Sequence, residues 1–78
     1  MAYIVPDALR KKLVNMLGPV GAETLLEEVM PLLRMHRLQH PNDCYRFGEL
    51  VSERGGMFAI LGKSIQTQAI LNGADRGR

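Results

Sequence analysis

Glycine and proline divide this chain into helix-sized pieces. Gly18-Pro19, Pro31, Pro41 and Gly55-Gly56 punctuate a sequence whose apolar residues otherwise recur at spacings of three and four. Pro6-Asp7 reads as a helix start, because proline suits the first turn and a carboxylate suits its positive end. The spacing predicts a first helix over about Pro6 to Leu17, with Leu9, Leu13, Met16 and Leu17 apolar and Arg10, Lys11 and Lys12 as a solvated face between them. Tyr3-Ile4-Val5 before it reads as a short extended segment. Gly18-Pro19-Val20-Gly21 ends the first helix and launches a second, over about Pro19 to Leu38. Ala22, Leu25, Leu26, Val29, Met30 and Leu33 make its stripe, while Glu23, Glu27 and Glu28 face away. Pro31 lacks an N–H and crowds the carbonyl four residues earlier, which predicts a kink near Glu27 or two shorter helices meeting there.

His40-Pro41-Asn42-Asp43 is the clearest break, with Asn42 or Asp43 as the expected cap of the third helical region. That region spans about 43–72, and Phe47, Leu50, Val51, Met57, Phe58, Leu61, Ile65 and Leu71 keep phase along it. Either one long helix carries that phase or two helices meet at Gly55-Gly56. Asn72-Gly73 is a stop signal, and 74–78 is expected to be a flexible tail. The predicted fold is therefore all-α, a small bundle of three to four helices in a single domain over 1–73.

A chain of 78 residues buries a modest core, and without tryptophan that core must come from Leu, Ile, Val, Met and Ala. Small helical chains often gain the missing burial by associating. The net charge is +2, and each half of the chain carries five basic and four acidic residues. There is no basic half to argue for nucleic acid. Cys44 is the lone cysteine, so no intrachain disulfide forms, which fits a reducing compartment. MAYIVPD has neither a basic start nor a long apolar run, and no stretch is long enough to span a bilayer. A cytoplasmic location is the expectation.

Gly62-Lys63-Ser64 has the ending of a phosphate-binding loop, yet the first glycine of that motif should stand at 57, which is Met. The interior would be Met-Phe-Ala-Ile-Leu, bulky and apolar around a charged ligand. A second reading puts Gly55, Ala59 and Gly62 on one helical face, where small residues let another backbone approach. Glycine inside a helix costs about 1 kcal/mol relative to alanine, so Gly48, Gly55, Gly56 and Gly62 require close packing or a turn to offset them.

Gly62-Lys63-Ser64-Ile65-Gln66-Thr67 also resembles the turn and recognition-helix start of bacterial helix-turn-helix repressors, over Met57 to Gly73. The resemblance implies that Gly62 ends one helix and that Ser64, Gln66 and Thr67 open the next against phosphates and base edges. Met57, Leu61 and Leu71 fit its apolar positions. Phe58 stands where the crossing helices usually place alanine, Lys63 where an apolar residue follows the glycine, and Gln68 where the recognition helix is buried.

His36, His40 and Cys44 are four apart, but Pro41 breaks the register and a fourth ligand is missing, so no metal is expected. Arg34, Arg37 and Arg46 gather around the junction before the third region, as cations near a helix end or as a patch for anions. With Lys63, Ser64, Gln66 and Thr67 they form the candidate nucleic-acid contact. No enzyme constellation and no cofactor motif is present. The expected function is a non-enzymatic helical adaptor, inhibitor or regulator that binds a protein partner and self-associates as a dimer. Its surface is expected at Phe47, Leu50, Val51, Gly55, Met57, Phe58, Ala59, Leu61, Gly62 and Ile65. The alternative is a helix-turn-helix-like DNA-binding regulator using 57–73.

Overall fold

The computed structural model describes residues 3–74. The described chain is all-α, with α1 at Asp7–Leu33, α2 at Pro41–Ser52 and α3 at Met57–Leu71. The only strand-like feature among the described residues is an isolated parallel bridge between Ile4 and Arg37. Among the described residues, 3–38 form one compact unit and 39–74 form a second.

In the first unit α1 is interrupted at Gly18, whose φ of 78° and ψ of 169° are not helical. That conformation belongs to glycine. Arg10 and Glu23 show how sharply the chain turns there. Thirteen residues along a straight helix would separate them by about 20 Å, yet Arg10 Nη1 donates to Glu23 Oε2 at 2.6 Å. The segments 7–17 and 19–33 are therefore two arms of a helical hairpin, with the break where Gly18-Pro19 predicts it. Leu9 and Leu13 on the first arm and Ala22, Leu25, Leu26, Val29 and Met30 on the second are buried at helical spacing.

Arg10 is not simply part of a solvated basic face. Besides the ion pair it donates through Nη2 to the Tyr3 carbonyl at 2.8 Å. The extended segment before α1 is also held by its backbone. Ile4 N–H donates to the His36 carbonyl at 3.0 Å, and Leu38 N–H donates to the Ile4 carbonyl at 2.9 Å. The Tyr3 and His36 rings stack with centroids 6.3 Å apart and planes 17° from parallel.

Pro31 does not break the second arm near Glu27; backbone dihedrals stay helical there and Gly18 is the sole exception inside α1. The interruption comes three residues after the proline. The helix ends at Leu33, not at Leu38, and Arg34 takes a left-handed conformation with φ 57°. Arg34 N–H then bonds the Pro31 carbonyl at 3.0 Å, and Met35 N–H bonds the Met30 carbonyl at 3.3 Å. Those two bonds are the Schellman closure that satisfies the last free carbonyls of a helix. Leu38, expected inside the helix, is buried beyond its end.

In the second unit the cap of α2 is His40, not Asn42 or Asp43. Its Nδ1 accepts from Asn42 N–H at 3.1 Å, and Pro41 takes the first helical position, where its missing N–H is harmless. The region 43–72 is two helices, not one. Gly55 and Gly56 have φ of 77° and 58° and form the connection. α3 closes as α1 does, with Gly73 N–H on the Ile70 carbonyl at 3.0 Å and Ala74 N–H on the Ala69 carbonyl at 2.9 Å. Ala74 is buried, so the expected tail does not begin there. The rest of it, 75–78, lies outside the described residues.

Candidate interaction surface

α2 and α3 pack as a hairpin whose closest point is set by two glycines. A methyl group built on Gly62 would fall on the Gly48 carbonyl oxygen and the Ser52 amide nitrogen, and would lie 2.6 Å from Ser52 Cβ. One built on Gly48 would lie 2.8 Å from the Gly62 carbonyl oxygen and 3.0 Å from Gln66 Cγ and Ile65 Cγ2. The main chains of the two helices therefore touch without intervening side chains. Gly48 and Ser52 are four apart and present one small face of α2 to Gly62. The expected stripe of Gly55, Ala59 and Gly62 is corrected accordingly. Gly55 lies in the turn, and the partner of Gly62 is Gly48.

This crossing also settles the local form of Gly62-Lys63-Ser64. All three residues lie within one continuous helix from Met57 to Leu71. No loop cradles an anion there. Gly62 ends no helix and Ser64 opens none, so the turn that the repressor resemblance implies is absent. Thr67 donates its hydroxyl to the Lys63 carbonyl one turn earlier, at 2.9 Å. Phe58, where that resemblance asks for alanine, is half-buried.

The residues expected to form an association surface separate into two groups. Phe47, Val51, Leu61, Gly62 and Ile65 are buried within the described chain. They build the interior and are not available to a partner. Leu50, Phe58 and Ala59 are half-buried, and Met57 is 45% exposed. Two exposed apolar residues of α3 were not among those expected: Ile60 at 69% and Leu71 at 75%. With Met57 they follow spacings of three and eleven, which place all three along one edge of the helix. Ser64 and Gln68 lie between them on that edge. Lys63 is the one charged residue in the fifteen of α3.

Of the candidate anion contacts, Arg34, Arg37, Arg46, Lys63 and Thr67 are exposed, and Ser64 and Gln66 are half-buried. Arg34 and Arg37 belong to the first unit, and the others to the second. Arg37 shares the bridge with Ile4, and Arg34 is the residue past the end of α1. Neither position forms a patch by itself.

Cys44 is half-buried in the first turn of α2. Burial pushes its thiol above the usual range, and the neighbouring Asp43 carboxylate adds to the shift. A thiol held protonated is a poor nucleophile and a poor ligand. Among the described residues no three His, Cys, Asp or Glu side chains gather closely enough to hold a metal ion. No polar or charged side chain is buried among them either. No helix of the described residues is long and apolar enough to cross a membrane. No family model matches the chain, and no curated protein or solved structure matches it.

Proposed function

We propose that this chain is a non-enzymatic interaction protein that binds another protein, a second copy of itself included, through the exposed edge of α3. One observation supports the reading above the rest. α3 exposes Met57, Ile60 and Leu71 along an edge of a helix that carries a single charge. Scattered surface leucines are ordinary, but an aligned set on a nearly uncharged helix favours contact with an apolar partner surface. The half-buried Phe58 and Ala59 flank that edge.

Light scattering coupled to size exclusion at micromolar protein tests it. The expected result is a mass above that of one chain, falling with dilution and restored to the monomer by Ile60→Glu. Circular dichroism of the variant should stay helical, because position 60 is exposed in the folded chain. A wild-type mass of one chain at every concentration, with no change on Ile60→Glu, would overturn self-association. Binding to a different protein would then have to show the same sensitivity to Ile60→Glu for the surface to stand.

A further inference from the structure

We draw no further inference here: the strongest candidate, the exposed edge of α3 at Met57, Ile60 and Leu71, belongs to the surface already proposed, and nothing in the structure shows what else covers it.

Discussion

Arg34 holds a backbone conformation that glycine usually supplies. Its φ of 57° closes α1, whereas Gly73 does the same work after α3. A left-handed residue with a Cβ is strained by roughly 1–2 kcal/mol, part of which glycine would return through a more flexible unfolded chain. Arg34→Gly is therefore expected to raise stability by about 0.5–1 kcal/mol, read as a shift in the urea midpoint with an unchanged slope. Cys44 gives a prediction of the opposite kind. A folded-state thiol value raised above about 9 means that the unfolded chain ionises first as pH climbs. The stability this group contributes is complete below the unfolded value of about 9 and is lost as pH rises from there through the higher folded value. At pH 8 the folded protein should react with a disulfide reagent more slowly than an unstructured cysteine peptide does. Asp43→Asn should speed the reaction, though by less than unfolding does, since burial is the larger cause. Equal rates for folded protein and peptide would contradict the assigned burial.

At the scale of elements, the α2–α3 hairpin depends on what Gly48 and Gly62 lack. In an open helix, glycine to alanine gains about 1 kcal/mol. Here the same change forces a methyl group into a neighbouring helix, and overpacking of that kind costs roughly 1–3 kcal/mol. Gly62→Ala should be the more damaging, because its methyl group meets two backbone atoms of α2. Gly48→Ala meets one backbone oxygen and two side-chain carbons. Thermal or urea unfolding of the two variants should rank them in that order. Alanine at either site raising stability would mean the helices do not cross there. Much of this architecture is legible in the sequence: Gly18-Pro19 marks the hairpin of α1, and Gly55-Gly56 marks a break if the helical phase is not followed across it. What the residues alone did not separate was a glycine needed for a turn from a glycine needed for contact. Gly55 and Gly62 look alike as letters, but Gly55 has a positive φ in the turn and Gly62 lies against Gly48 and Ser52 within a helix. The small pair Gly48 and Ser52 carried the missing signal, since four-residue spacing puts both on one face. The end of α1 was misplaced for a similar reason: Pro31 affects the carbonyls before it, but nothing in its spacing said that Arg34 would close the helix.

For the molecule as a whole, burial explains why the expected association surface was too broad. A stripe at helical spacing records which residues avoid water, and it does not say whether the shelter is the chain's own interior or a partner. Phe47, Val51, Leu61 and Ile65 found shelter inside, and within α3 the exposed large apolar residues are Met57, Ile60 and Leu71. If folded copies associate and unfolded chains do not, mass action makes the melting temperature rise with protein concentration. Leu71→Glu should flatten that dependence, and a scan over a hundredfold range of concentration measures it. The crossing at Gly48 and Gly62 carries one more consequence, for how this hairpin tolerates mutational search. A bulky side chain at either position collides with peptide groups, and no second substitution can trim a peptide group. Compensating volume therefore cannot relieve the backbone contacts, and random libraries should return glycine first at both sites, with alanine tolerated better at 48 than at 62.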